Sequence, residues 1–276
     1  MSFAIAMART MSGLIWLSID LTLSRIARKV KRMGFEFLPI KTRVVMPPRD
    51  EVWDILDGLD VREGDIIFIT SKILAIHQGR TMPTEGTDKG ELIRREADYW
   101  AEFEPKCGFK VNLTIRDNVL GMAAGIDESN AGEYYVLLPK DVDKLCAEIR
   151  ARICKRTGIK SLGVVCTDSH TQPMRLGVMG ISIGFAGIAP LDDLRGRPDI
   201  FGREMKFAQV NRLDSLVAMA VLQMGECAEQ IPVVILRGYT AIEFSTKYGM
   251  PDVLIEPELD IYRPLLDVLV KPKSTH

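Results

Sequence analysis

The stretch Val164-Val165-Cys166-Thr167-Asp168-Ser169-His170-Thr171 constrains this chain most, because four β-compatible residues run straight into an acid, a hydroxyl and an imidazole. An apolar run this short, closed by polar groups, predicts a buried strand that delivers side chains to a sheet edge. Ile66-Ile67-Phe68-Ile69 followed by Thr70-Ser71-Lys72 repeats the design. Further strands are expected at Glu36 to Ile40, between Gly108 and Leu120, and at Pro232 to Leu236. Apolar stripes at helical spacing lie between them. Asp50 should cap a short helix bearing Val52, Trp53, Leu56 and Leu59 on one face. Glu91 to Phe103 suits a surface helix. Pro139 should open a helix striped by Val142, Leu145, Cys146, Ile149 and Ile153 and stopped at Gly158, and a stripe from Leu213 to Met224 should stop at Gly225. Residues 79–90 and 191–203 have loop composition, and the tail to His276 is helical at best. Several connections are too short for a parallel crossover, so the fold class is α+β, with mixed, largely antiparallel sheets and packed helices.

At 276 residues, 47% hydrophobic and 26% charged, the chain can bury a substantial core without staples. Its 36 Lys plus Arg against 37 Asp plus Glu leave a formal charge of −1, which excludes a global basic field for nucleic acid. The five cysteines are odd in number and lack C-x-x-C spacing, which argues against a disulfide framework or a zinc ribbon and fits a reducing cytoplasm. Cys146 and Cys154 read as small core hydrophobes and Cys166 as inert. Residues 1–33 differ from the rest: a run around Leu14 to Leu21, broken by Asp20, precedes Arg25, Arg28, Lys29, Lys31 and Arg32. The run is too short to span a bilayer. Three readings stand: a helix on a membrane surface, an accessory helix, or a start upstream of natural initiation at Met33, of which the last is preferred. No other segment offers a route to membrane contact.

The chemistry should sit where apolar runs end. Asp127 in Ala124-Gly125-Ile126-Asp127-Glu128-Ser129-Asn130, Asp168, and Glu226 just past a helix stop are three carboxylates that could meet at one rim, with Ser169 adding a hydroxyl. Oxygen donors of this kind suit Mg²⁺ or Mn²⁺. The competing reading makes Asp127 and Asp168 turn caps. His170 beside Asp168 and Ser169 invites a hydrolase triad, but consecutive residues of an extended strand alternate in direction, so a phosphate-contacting or solvated histidine is preferred. Gly177, Gly180, Gly184 and Gly187 miss both nucleotide-loop fingerprints and predict close backbone packing instead. Arg175, Arg195, Arg197, Arg203 and Lys206 are anion contacts or a solvated surface.

Taken together, Glu63-Gly64-Asp65 through Thr70-Ser71-Lys72, Gly79-Arg80, Ala124 through Asn130, Leu138-Pro139, Thr167-Asp168-Ser169, Arg195-Gly196, Asp199 with Gly202, and Met224-Gly225-Glu226 resemble the coenzyme F420:L-glutamate ligase family over residues 36–238. Thr167 through Arg175 looks most like the bacterial branch assigned to folate metabolism. The resemblance implies a two-lobed fold spanning residues 34–245, with residues 246–276 as a tail, in an intertwined homodimer. It implies two divalent metals at Asp127, Asp168, Ser169 and Glu226, and guanine nucleotide contacts at Ser71, Lys72, Asn130, Met224 and Gly225. The reaction it implies spends GTP to join L-glutamate to an acceptor carboxylate through an acyl phosphate, with Arg175 binding carboxylate and His170 beside the chemistry. A folate-like acceptor is the first choice and the deazaflavin coenzyme the second. The pattern departs at Ile76, where the family carries Lys, at Ala123, where it carries Asn, at Asp117-Asn118 in place of His-Gly, and at Ser169 through Gln172 in place of Thr-Phe-Gly-Arg. Those departures keep two alternatives open, a nucleotide-binding homologue without ligation and a metal-dependent phosphohydrolase.

Overall fold

The computed structural model describes residues 34–104, 110–256 and 258–269. Expectations for residues 1–33 and for Cys107 lie outside them. In chain order the elements are β1 (Glu36–Ile40), α1 (Trp53–Asp57), β2 (Asp65–Thr70), α2 (Ser71–His77), β3 (Thr81–Pro83), α3 (Lys89–Glu96), β4 (Tyr99–Phe103), β5 (Val111–Arg116), β6 (Val119–Met122), β7 (Tyr134–Val136), α4 (Val142–Thr157), β8 (Leu162–Thr171), β9 (Val178–Ala186), β10 (Leu191–Asp193), β11 (Gln209–Asn211), α5 (Arg212–Met224), β12 (Val233–Arg237) and α6 (Arg263–Leu266). The class is α+β, as expected.

The principal sheet runs β1-β12-β2-β8-β9, and only the β2–β8 pairing is parallel. Both partners are buried on two faces, which is why each reads as an unbroken apolar run. Ile67, Ile69, Val164 and Cys166 face the layer containing α1, α2 and α4, while Ile66, Phe68 and Val165 face α5. Two glycines of β9 let the helices close on the sheet. A Cβ on Gly180 would lie 2.6 Å from Val221, and one on Gly184 would collide with Val142. A third cluster, built on Leu92, Ile93, Ala124, Ile126, Tyr135 and Leu137, lies beside the β4-β5-β6 sheet.

Four expectations need correction. Asp50 does not cap α1, whose N-cap is Val52 with no side-chain bond; its carboxylate instead accepts from Arg43 and from the Met46 amide. The helix expected from Glu91 to Phe103 ends at Glu96, because Ala97 turns extended and Tyr99 to Phe103 pair with β5. The loops at 79–90 and 191–203 each contain a three-residue strand. Strand β8 also runs on through Asp168, Ser169, His170 and Thr171, past a register shift between Cys166 and Thr167, so the polar cluster is inside the sheet.

At the closed end of β2, Asp65 is 1% exposed and accepts from Arg237 Nη2 at 2.8 Å and from the Arg62 amide at 2.8 Å. Replacing Asp65 by Ala strands a mostly buried guanidinium, and the expected cost is about 3 kcal/mol, read as a lowered urea midpoint with unchanged slope.

Candidate functional site

At the open end of β2 and β8 lies a cavity of about 320 Å³. Ligand crevices commonly form beyond the carboxyl ends of parallel strands, and this is the one parallel joint of the principal sheet. Asp127, Asp168, Ser169 and Glu226 all line it, together with Ser71, Lys72, Asn130, Met224 and Gly225.

Strand alternation decides who meets whom. Asp168 points to the α2 side, where Ser71 Oγ donates to its Oδ1 at 3.0 Å. Ser169 and Thr167 point the other way, toward Glu226 Oε2 at 3.4 Å and Met224 Sδ at 3.7 Å. Asp127 is held by Lys72 Nζ at 2.7 Å and by the Ser129 amide at 2.7 Å, while Lys72 also donates to the Ser129 carbonyl. Asn130 Nδ2 donates to the Cys227 carbonyl at 2.8 Å and so ties the Asp127 loop to the segment after α5. That loop is reached through strained backbone. Ala123 and Ala124 have φ of 57° and 52°, and the Ala124 amide is secured by Thr114 Oγ1 at 2.8 Å.

The two central aspartates are in opposite electrostatic states. Burial pushes Asp127 up, but Lys72 and the Ser129 bonds outweigh it and hold the carboxyl below its ordinary value. Burial dominates at Asp168 and pushes it up to about 6; the nearby Asp127 charge adds to the rise, while Ser71 and Lys72 oppose it.

Two of the expected residues, Arg175 and His170, lie outside this cavity. Arg175 is exposed on the β8–β9 connection, lines neither this cavity nor the smaller one beside it, and its guanidinium donates to the carbonyl of its neighbour Met174. His170 is half-buried and lines the smaller cavity instead. Reasoning from sequence also missed the wall formed by Thr42 to Val45, in which Arg43 is braced by Asp50 and Asp54. No periodicity or turn signal marks that segment. Of the departures, Ile76 is 1% exposed and part of the core, and Ala123 sits in a left-handed conformation that asparagine adopts more readily.

The geometry is an oxygen-rich cleft with a lysine at the mouth of a parallel strand pair. The family model described as F420-0:Gamma-glutamyl ligase matches residues 39–238. Coenzyme F420:L-glutamate ligase of Methanocaldococcus jannaschii is 43% identical over 255 residues, covering 86% of this chain and 98% of the relative. The enzyme of the same name from Methanopyrus kandleri is 33% identical over 251 residues, covering 84% and 98%, and that of Methanothermobacter thermautotrophicus 31% over 222, covering 75% and 87%. The protein is a ligase that forms carbon–nitrogen amide bonds. It belongs to the F420-0:gamma-glutamyl ligase family.

The divalent metal that such a family implies was tested against the donors. Among the described residues no group of three or more His, Cys, Asp and Glu closes around one point. Asp168 meets Ser71 on one side of β8, while Glu226 meets Ser169 on the other. The donors are nonetheless all oxygen, and Asp168 is a desolvated carboxylate that accepts from the Ser71 hydroxyl. That fits a hard cation held by one or two carboxylates, with water and substrate phosphate completing its shell.

Because Asp168 has a raised folded pKa, the folded state binds more protons than the unfolded between about pH 4 and 6, and stability falls as pH rises through that window. Asp168→Asn should therefore make the metal-free protein more stable above pH 6 by roughly 1–2 kcal/mol, after discounting for the side facing the open cavity. The gain should vanish at pH 4, as measured by denaturation across pH.

Proposed function

We propose that this chain attaches L-glutamate through a γ-linked amide to a carboxylate-bearing acceptor, spending GTP. The observation that carries the reading is the arrival of Lys72, Asp127, Asp168 and Glu226, from four separate segments, on the wall of one cavity in a chain of this family. Forming an amide in water requires an activated carboxylate. The γ-phosphoryl group passes to the acceptor carboxylate, giving an acyl phosphate and GDP; the glutamate amine then attacks the acyl carbon and inorganic phosphate leaves.

Lys72 and the segment from Met224 to Gly225 line the cavity and would contact the nucleotide's phosphates and sugar, and Asn130 ties that wall to Cys227. Asp168, with Ser169 and Glu226 on the opposite side of the strand and Asp127 across the rim, would hold Mg²⁺ or Mn²⁺. Such ions neutralise phosphate charge and align the transfer. Lys72 keeps Asp127 ionised, ready to act as a ligand.

For the acceptor, the relatives' shared name favours the deazaflavin coenzyme F420-0. A folate-like acceptor is the second reading, supported by Ile76, Ala123 and the residues after Asp168. An intertwined homodimer with the nucleotide groove at its interface is supported by bare apolar side chains on two hairpins. Met174 is 94% exposed, Leu176 105% and Phe201 88%.

Purified protein incubated with GTP, Mn²⁺, L-glutamate and either acceptor should yield a product heavier by one or more glutamates by mass spectrometry. Asp168→Asn should fold normally and lose about two orders of magnitude or more in turnover. Phosphate release without acceptor, or near-normal turnover in that variant, would count against the reading. Sedimentation should give twice the chain's mass, shifting toward the monomer in Leu176→Asp.

A further inference from the structure

A second cavity, of about 120 Å³, opens on the far side of Asp168. It shares Gly125, Asp168 and Ser169 with the larger one and otherwise has walls of its own. Its lining mixes polar Arg116, His170 and Thr171 with apolar Val119, Met122 and Val178, Arg116 pairing across its hairpin with Val119 and Thr171 with Val178. Arg116 is anchored through Nε on Asp117 at 2.9 Å and through Nη1 on the Glu96 carbonyl, and no hydrogen bond from its Nη2 is seen among the described residues. A guanidinium held this way at two edges presents a fixed donor edge to a carboxylate.

The size and position of this cavity limit what can occupy it. It is well below the ~300–1,000 Å³ typical of sites for drug-sized molecules, so a nucleotide or fused-ring acceptor does not fit, while an amino acid does. A lining that combines a guanidinium with apolar side chains suits a short methylene stem ending in a carboxylate. In acyl transfer the amine approaches the carbonyl carbon from one side and phosphate leaves on another. With nucleotide in the larger cavity and the acyl group at the shared residues, the smaller cavity is the remaining approach.

Building on the reaction proposed above, we propose that this smaller cavity receives the incoming L-glutamate, with Arg116 taking one of its carboxylates and His170 setting how far its amine reaches toward Asp168. The amine lone pair forms the C–N bond, the bond from acyl carbon to phosphate oxygen breaks, inorganic phosphate departs toward the larger cavity, and the amine proton is lost to water. Arg116 and His170 are positioning residues in this scheme.

Gly121 gives a plug that spares the fold, since it lines the cavity and a Cβ there meets nothing within 4 Å. In the ligation assay, Gly121→Leu, His170→Ala and Arg116→Gln should each raise KM for glutamate about tenfold or more, with KM for GTP within about twofold of wild type. Arg116→Lys should recover part of the loss. Binding of isotope-labelled L-glutamate to full-length protein carrying a non-hydrolysable GTP analogue, Mn²⁺ and F420-0 reads the same wall without turnover. Wild type should bind and Gly121→Leu should not. Equal binding by both, no binding by wild type, or parallel rises in both KM values would overturn the inference. Glutamate binding that Gly121→Leu abolishes, in a wild type that makes no product, would support the cavity assignment and count against the ligase reading alone.

Discussion

The parallel ladder between β2 and β8 governs what stands at the rim. Six residue pairs, from Asp65 with Leu162 to Thr70 with Thr167, hold the two strands in register, so Ser71 and Asp168, 97 residues apart in sequence, arrive side by side. A slip of one residue would reverse every face, taking Asp168 away from Ser71 and Ser169 away from Glu226. Such a slip is opposed by burial on both sides, since Ile66 to Ile69 and Val164 to Cys166 are all fully covered. Hydrophobic packing at one end of the strands thereby sets polar geometry at the other.

That placement leaves an electrostatic asymmetry. Asp127 has a lysine against it and is charged at low cost, whereas Asp168 has a hydroxyl and a like-charged neighbour. A carboxylate kept in this state is costly without a cation, and the same cost makes it a strong attractor for one. The strained alanines ahead of Asp127 point the same way. Left-handed backbone at two consecutive non-glycine residues persists because Thr114, itself buried, holds the amide in place.

Much of this was legible in the residues. The two apolar runs, the stripes of α4 and α5, the stops at Gly158 and Gly225 and the close approach at Gly180 and Gly184 all follow from local chemistry and period. Asp127, Asp168 and Glu226 stood out because each ends a structured segment. What local pattern could not show was pairing. Tyr99 to Phe103 has a composition that suits either helix or strand, and only β5 decides it. Asp50 looked like a cap until Arg43, seven residues earlier, claimed it. Arg175 was chosen for its chemistry, yet the hairpin carries it into solvent, and the wall from Thr42 to Val45 enters through tertiary packing alone.

The three residues common to both cavities have an evolutionary consequence. Gly125, Asp168 and Ser169 form a party wall, so any change there disturbs both tenants at once. Drift in substrate choice is thereby channelled into the surfaces that only one compartment owns, and a lineage can exchange one small molecule for another while its phosphate chemistry stays fixed.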